Sequence, residues 1–393
     1  MIKKIFVILS IPILLTGCTG YGEYIHVHDS DESSITVTEK ISVDEQPDFP
    51  EESTMYYIDY DITENKTAEI DSDTEEIYEY IKNELLNFNH IIHFSRKVDE
   101  KIISDICDSL TVENPELYWI TGYSLTSDGY STEIEFNIIN DFSVEELKEQ
   151  SDLVEKNISE IILHIDSSWN DFDKIKYVHD YIIDNTVYDS IGADKIQQNE
   201  DGGFCSSAYG CLIEGKAVCQ GYADAFKMIM DRIGIESGIA SGITERGKHA
   251  WNYVKADGEY YWIDLTWDDP VTETGDDIRR YDYFMLNNEM FMKNRVADNP
   301  ERLPLCQSMK LNYFVYNNLF IDTYSFEELC SKINNSDSDS ISFMFSSLYE
   351  MNRCLSEIVD EGRIWEINRA VENSDHISYG TYEKMNVFTI DFK

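Results

Sequence analysis

The fold is decided by one stretch, residues 215–270, which reads GKAVCQGYADAFKMIMDRIGIESGIASGITERGKHAWNYVKADGEYYWIDLTWDDP. It predicts a helix that starts at Cys219, because Gly215 precedes it and apolar residues then recur at helical spacing as far as Gly234. Unpaired N–H groups at a helix start carry partial positive charge and favour the thiolate form of a cysteine. Cys219 is therefore a candidate nucleophile, although a lone cysteine is more commonly a small buried residue.

A β-hairpin follows this helix. Residues 248–255 and 260–266 are rich in aromatic and β-branched side chains, which favour strands. Asp257-Gly258 between them is a strong signal for a two-residue turn. That turn sets the register of the two strands, so we expect His249 to face Thr266.

The same register brings His249 and Asp264 to one face of the ribbon as diagonal neighbours, with Cβ atoms about 7–8 Å apart. A carboxylate at that distance can hold an imidazole in one tautomer. Taken singly, the histidine is typical of a partly buried strand residue and the aspartate of a turn cap. Together with Cys219 they supply a nucleophile, a base and an orienting acid, which favours a catalytic triad.

Three segments, VCQGYADAF, KHAWNYV and YYWIDLTWDDP, resemble the bacterial transglutaminase-like superfamily. The resemblance is dense from Phe172 to Phe284 and includes KIKYVHDYIIDNTVYD, ahead of the cysteine. It implies an α+β class with a papain-like core, in which a helix with an N-terminal cysteine packs on an antiparallel sheet between small α/β units. It also maps the family's Cys–His–Asp triad onto Cys219, His249 and Asp264.

The reaction type stays open at the sequence level, because the family includes crosslinkers, thiol proteases, deglycosylating amidases and inactive members. Animal transglutaminases have Gln before and Trp after the nucleophile, whereas Val218 precedes and Gln220 follows it in this chain. Candidates for the oxyanion hole or cleft are Gln220, Trp251 and Tyr209, which lies in the long loop before the nucleophile. We expect hydrolysis rather than transfer to a lysine amine, because no second motif specifies an amine site. The rival is a catalytically silent binding or scaffold module at the cell surface.

The chain is strongly acidic, with 76 Asp and Glu against 31 Lys and Arg and a formal net charge of −45. This balance excludes nucleic acid as an expected partner, because no basic face is available for phosphates. The simplest explanation of the acidity is solubility. The alternative is that the negative charge attracts a basic or cell-wall-associated protein or peptide substrate, or divalent cations. We expect a monomer that needs no cofactor.

The amino terminus predicts a processed leader. A charged start, Met1–Lys4, precedes the apolar run Ile5–Leu15, which is too short to span a membrane. The run ends in Leu15-Thr16-Gly17-Cys18, which resembles a bacterial lipobox. The resemblance implies cleavage before Cys18, lipidation of its thiol, and attachment to the extracytoplasmic face of the membrane by lipid alone.

The remaining cysteines are scattered, which indicates isolated buried thiols; they are Cys107, Cys205, Cys211, Cys306, Cys330 and Cys354. An extracytoplasmic location permits disulfides, and Cys205 with Cys211 is the best candidate pair. A zinc site is not expected, because a close pair of ligands is missing.

The chain is predicted to divide into five segments. They are a leader (1–18), an acidic disordered tether (19–68), an N-terminal α/β domain (69–140), a transglutaminase-like domain (141–304) and a C-terminal α/β domain (305–393). Ser143 is predicted to open a helix toward Trp169, and 171–185 to form the next helix, on which His179 is structural. Asn317-Asn318 is predicted to turn a hairpin.

Overall fold

The computed structural model describes residues 3–7, 23–28, 36–40, 72–198, 200, 202–270, 279–367 and 376–392. Cys18, most of the predicted tether and the acidic loop after Pro270 lie outside the described residues. Two compact units make up the chain, one from Met1–Gly20 and Asp71–Asn317 and the other from Tyr21–Ile70 and Asn318–Lys393. The five predicted segment boundaries stay predictions.

The first part of the larger unit sets two helices against a four-stranded antiparallel sheet of order β1-β5-β6-β4. Its elements are β1 (Lys3–Val7), α1 (Ser72–Leu86), β4 (Ile91–Phe94), α2 (Glu100–Glu113), β5 (Ile120–Ser127) and β6 (Thr132–Ile138). Apolar residues of α2 recur at helical spacing and are buried, among them Ile103 and Leu110. They pack with Leu85, Trp119 and Ile134 in one core.

Two long helices follow this part in the chain. Ser143 caps α3 (Val144–Ile162) with a reciprocal capping box, in which its hydroxyl accepts the N–H of Glu146 and that carboxylate accepts the N–H of Ser143. The predicted start of α3 is confirmed, but the helix ends at Ile162 instead of continuing to Trp169. The next predicted helix is confirmed as α4 (Asp171–Asn185), capped by Asn170.

A four-stranded antiparallel sheet of order β11-β10-β9-β12 carries the rest of the larger unit. The elements are β7 (Val187–Tyr188), α5 (Ser190–Gln197), β8 (Lys216–Ala217), α6 (Cys219–Arg232), β9 (Ser237–Thr244), β10 (Gly247–Ala256), β11 (Glu259–Ile263), α7 (Leu265–Asp268), α8 (Asn288–Phe291), β12 (Arg295–Ala297) and α9 (Tyr313–Tyr316). Helix α6 packs against β9 and β10. The predicted α+β class, with a helix that begins at the cysteine and lies on an antiparallel sheet, is confirmed.

The turn of the predicted hairpin is confirmed, but its far end is not. Asp257 and Gly258 both have positive φ, 51° and 81°, as a tight two-residue turn requires. Strand β11 stops at Ile263, because the side chain of Asp264 accepts the N–H of Trp267 and caps α7. Thr266 therefore lies in a helix, and the prediction that it faces His249 is wrong.

The smaller unit is built on a six-stranded sheet of order β13-β14-β16-β15-β2-β3. Its elements are β2 (Glu23–His28), β3 (Thr36–Lys40), β13 (Phe320–Ile321), α10 (Phe326–Asn334), β14 (Ser340–Phe345), α11 (Leu348–Leu355), β15 (His376–Tyr382) and β16 (Val387–Phe392). Leu329, Met351 and Phe388 are buried in its core. Across the described part of the chain, none of the helices combines the length and apolarity that crossing a membrane requires.

The hairpin predicted around Asn317-Asn318 is wrong. Tyr313–Tyr316 forms the helical turn α9, because the side chain of Asn312 accepts the N–H groups of Phe314 and Val315 and caps it. The strand that follows pairs in parallel with β14, so it has no hairpin partner at this turn.

Candidate active site

Cys219 is the first residue of α6 and is 3% exposed. The residue before it, Val218, has extended backbone and offers no side-chain cap, so the first N–H groups of the helix lie beside the thiol. Cys219 packs with Ala223 of the same helix and with Ile239 and Ala250 of the sheet. The thiol thus lies where the positive end of the helix meets strand β10.

The loop before Cys219 lies directly on the first turn of α6. The N–H of Val218 donates to the carbonyl of Cys205 over 2.8 Å. A Cβ added at Gly221 would lie 2.7 Å from the Cys205 carbonyl oxygen and 2.8 Å from that of Ser207. Glycine at this position therefore allows the loop to approach the helix backbone and to frame the cysteine.

His249 and Asp264 come from the two sides of the hairpin and contact each other. His249 lies on β10, next to Ala250, and Asp264 directly follows β11. The Nε2 atom of the imidazole is 2.8 Å from Oδ2 of the carboxylate, and the two side chains are 3% and 1% exposed. The rings of Trp251 and Trp267 lie 5.9 and 5.5 Å from the imidazole, so the pair is held away from water.

Asp264 has a second partner that the sequence did not indicate. Nη1 of Arg295, the first residue of β12, lies 2.6 Å from the same Oδ2 atom that binds His249. Burial acts to raise the pKa of the Asp264 carboxyl, but His249 and Arg295 outweigh it and hold that pKa below its usual value. Arg295 stands in the sequence NEMFMKNRVADNP, which carries no motif that would single it out.

The three residues proposed for the oxyanion hole or cleft lie in different surroundings. The amide of Gln220 donates to Oδ1 of buried Asp224 over 2.7 Å. Tyr209 is half-buried and packs its ring 4.8 Å from Phe204 in the loop before the nucleophile. Trp251 is fully buried, and its Nε1 has no hydrogen-bond partner among the described residues. Of the three, Trp251 lies beside His249, whereas the Gln220 amide is already engaged.

Cys205 and Cys211 are not bonded to each other, so the disulfide weighed for this pair is not formed. Cys211 instead lies 3.3 Å from the hydroxyl of Thr186, and burial raises the pKa of its thiol to about 12. In the part of the chain that the structure describes, no group of three or more His, Cys, Asp or Glu side chains could hold a metal ion.

A second histidine–aspartate pair lies behind the first. His179 on α4 is completely buried, with Nδ1 3.0 Å from Oδ1 of Asp180 and Nε2 3.2 Å from Oδ2 of Asp268. Tyr281 stacks on its ring at 5.4 Å. Because carboxylates occupy both ring nitrogens, His179 cannot face a substrate and holds α4 to α7.

Part of the chain is similar to a known protein family. Residues 164–266, which include Cys219, His249 and Asp264, match the family model of the Transglutaminase-like superfamily. A solved structure described as a TGase aligns at 18% identity with a TM-score of 0.28, covering 48% of this chain and 53% of that one. No curated protein matches the chain.

Two further solved structures align at lower identity. A “putative cysteine protease” from Cytophaga hutchinsonii has 16% identity and a TM-score of 0.24, with 36% of this chain and 56% of that one covered. A “putative protease” from Parabacteroides distasonis has 10% identity and a TM-score of 0.24, with 38% and 36% covered. The chain thus spans about half the length of the first two structures. The similarity to the Transglutaminase-like superfamily covers residues 164–266.

Proposed function

We propose that this protein is a thiol enzyme that acts on amide bonds through Cys219, His249 and Asp264. One observation carries the proposal. His249 makes a buried hydrogen bond of 2.8 Å with Asp264, and His249 lies on β10, the strand that packs against the helix that begins at Cys219. A thiol at a helix start, an imidazole and an orienting carboxylate together are the parts that acyl transfer requires.

The reaction proceeds in two steps through a thioester. The thiolate of Cys219 attacks the carbonyl carbon of the amide, the C–N bond breaks, and protonated His249 gives its proton to the leaving amine. Water or a second amine then attacks the thioester carbonyl while His249 takes its proton. The products are a carboxylic acid or a new amide, and the thiol is regenerated.

The ring nitrogens of His249 divide the work in this mechanism. Nε2 is committed to Asp264, so Nδ1 is the atom that exchanges the proton with Cys219 and the amine. Asp264 holds the imidazole in that tautomer and stabilises its protonated form. A backbone N–H near Cys219 helps to stabilise the oxyanion of the tetrahedral intermediate.

The proposed reaction is hydrolysis of a protein or peptide substrate, because no second motif in the sequence specifies an amine site. Incubation of the enzyme with an amide substrate and a primary amine such as cadaverine tests this choice. Mass spectrometry should find the carboxylic acid as the main product; a dominant cadaverine adduct would assign transamidation instead.

An activity-based thiol probe tests the enzyme assignment itself. Wild-type protein should be labelled at Cys219, and Cys219→Ala should not be labelled, with Cys330→Ala as a matched control that keeps labelling. Iodoacetamide should alkylate Cys219 at pH 6 faster than it alkylates free cysteine, because the proposed reaction requires an activated thiol. Reaction no faster than free cysteine would indicate a silent scaffold module.

We further propose that the protein is anchored to the extracytoplasmic face of the membrane by lipid on Cys18. The Leu15-Thr16-Gly17-Cys18 sequence supports this, together with the apolar run before it. Cys18→Ser should release the protein into the soluble or secreted fraction. Retention in the membrane after that change would contradict the proposal.

A further inference from the structure

Arg295 is in direct contact with Asp264 of the candidate triad, and its place in the sheet is specific. It opens β12, the strand that pairs with β9 on the side away from β10. From that outer strand its side chain crosses to Asp264 at the end of β11. Its side chain is 0% exposed, which is rare for an arginine and requires compensation from its surroundings.

The guanidinium is held on several sides. Its carbon lies 3.9 Å from the ring centroid of Phe291 and 4.5 Å from that of Trp267. Nε donates to the side chain of Asn294 over 3.2 Å. With the planar group fixed in this way, Nη1 points at Oδ2 of Asp264 with little freedom to turn elsewhere.

A single carboxylate oxygen receives both the arginine and the imidazole. Oδ2 of Asp264 lies 2.6 Å from Nη1 of Arg295 and 2.8 Å from Nε2 of His249, while Oδ1 accepts the N–H of Trp267 over 3.2 Å. The Asp264 carboxylate is thus oriented by three donors, and its rotation away from His249 would break all three contacts.

The arginine also sets the charge of the site. A carboxylate that is 1% exposed with a histidine as its only charged partner would tend to bind a proton, because burial disfavours its charged form. A guanidinium stays charged and neutralises the carboxylate.

From these contacts we infer that Arg295 is a positioning residue of the triad, which keeps Asp264 ionised and its Oδ2 atom aimed at His249. The inference rests on the proposed thiol enzyme and names a residue outside the matched region 164–266. It acts through Asp264.

The test compares two variants. Arg295→Met fills the space beside the rings of Phe291 and Trp267 without a charge, whereas Arg295→Lys keeps the charge. In R295M the pH below which kcat/KM falls should rise by about 1 to 3 units, because Asp264 then takes up a proton within the pH range in which the enzyme is assayed. On the acid side, kcat/KM should fall about tenfold for each unit by which this pH rises. R295K should keep the wild-type pH dependence, and KM should stay constant.

A readout that does not depend on turnover separates this inference from the proposed function. All variants in this measurement also carry Cys219→Ala. The infrared difference spectrum between R295M and R295M/D264N should show the band of a protonated carboxyl group near pH 5. The difference spectrum between the proteins that retain Arg295, with and without D264N, should lack this band. If wild-type protein neither labels nor turns over, the proposed function fails while this measurement still stands. An unchanged pH dependence of kcat/KM in R295M, or no carboxyl band, overturns the inference.

The double variant D264N/R295M guards against misfolding, because it buries no unpaired charge. If R295M does not fold and the double variant does, Arg295 serves Asp264, as inferred. If the double variant also fails to fold, Arg295 serves the aromatic core instead and the inference is overturned.

Discussion

Two buried histidine–aspartate pairs meet the two ends of the same short helix, α7. Asp264 caps its start and binds His249 at 2.8 Å, whereas Asp268 is its last residue and binds His179 at 3.2 Å. All four side chains are 3% exposed or less. The pKa of Asp264 is nonetheless held below its usual value, while that of Asp268 is raised to about 7.

The charges gathered around each pair explain the opposite directions. Burial acts to raise the pKa of both carboxyls, but Arg295 joins His249 in opposing it at Asp264. At Asp268 the hydrogen bond from His179 opposes burial only in part, and nearby Asp282 raises the pKa further. A buried histidine–aspartate pair is therefore no mark of catalysis by itself. The first pair is set apart by the guanidinium of Arg295 on its own carboxylate and by the packing of β10 against the helix that begins at Cys219.

The largest expected effect is on turnover. His249→Ala should lower turnover of an amide substrate by about 10⁶-fold, the size of losing the base of a hydrolytic triad. Added to Cys219→Ala, the same change should have almost no further effect, because the two residues act as a unit. Circular dichroism should show that both variants are folded. Full activity without His249, or losses that multiply when both residues are replaced, would show that Cys219 and His249 do not act as a unit.

Asp264→Asn should be milder, with a loss of about 10⁴-fold in kcat. The imidazole remains in this variant but is held less often in the useful tautomer. Turnover of the same amide substrate measures the effect. A loss as large as that of His249→Ala would show that the carboxylate does more than orient the base.

His179→Ala should affect stability rather than chemistry. Removing one partner of a buried charged pair leaves Asp268 without its histidine and should lower the free energy of unfolding by about 3–5 kcal/mol. Urea unfolding measures this, and His164→Ala, an exposed histidine at the end of α3, is the matched control with little expected change. kcat per folded molecule should stay within a few-fold of wild type. A folded but inactive His179→Ala would contradict the assigned division of roles.

The smallest expected effect is on the pH dependence of stability, in which the two aspartates should differ. The pKa of Asp268 is raised to about 7 in the folded protein, so its contribution to stability is greatest at low pH and falls as pH rises toward that value. The slope is at most about 1.4 kcal/mol per pH unit. The stability of Asp268→Asn relative to wild type should therefore rise with pH between the unfolded and folded pKa values.

Asp264→Asn should show the opposite sign in the same series of urea unfolding curves. Because the folded pKa of Asp264 is lowered, its stabilising contribution is present above its unfolded pKa and is lost as pH falls through the folded value. Relative to wild type, this variant should be least stable above the unfolded pKa and should recover on acidification. Equal slopes for the two variants would show that Arg295 does not distinguish the pairs.

Predictions from the sequence succeed where a few neighbouring residues decide the outcome. Asp257-Gly258 forms the turn because both positions adopt positive φ, and Ser143 starts α3 through a capping box completed three residues later. They fail where a side-chain cap competes with strand formation. Asp264 ends β11 and begins a helix, and Asn312 draws the next residues into a helical turn. Aromatic and β-branched composition does not reveal such caps.

The start of the helix at Cys219 and the turn that brings the chain from His249 back to Asp264, 15 residues further on, could be predicted from the sequence alone. Those features follow from turn chemistry and periodicity, which act over a few residues. Only the tertiary structure brought Arg295 to Asp264, 31 residues away, and His179 to Asp268, 89 residues away. The charge state of each carboxyl depends on burial and on the charges that packing collects around it, and no local pattern in the chain encodes either.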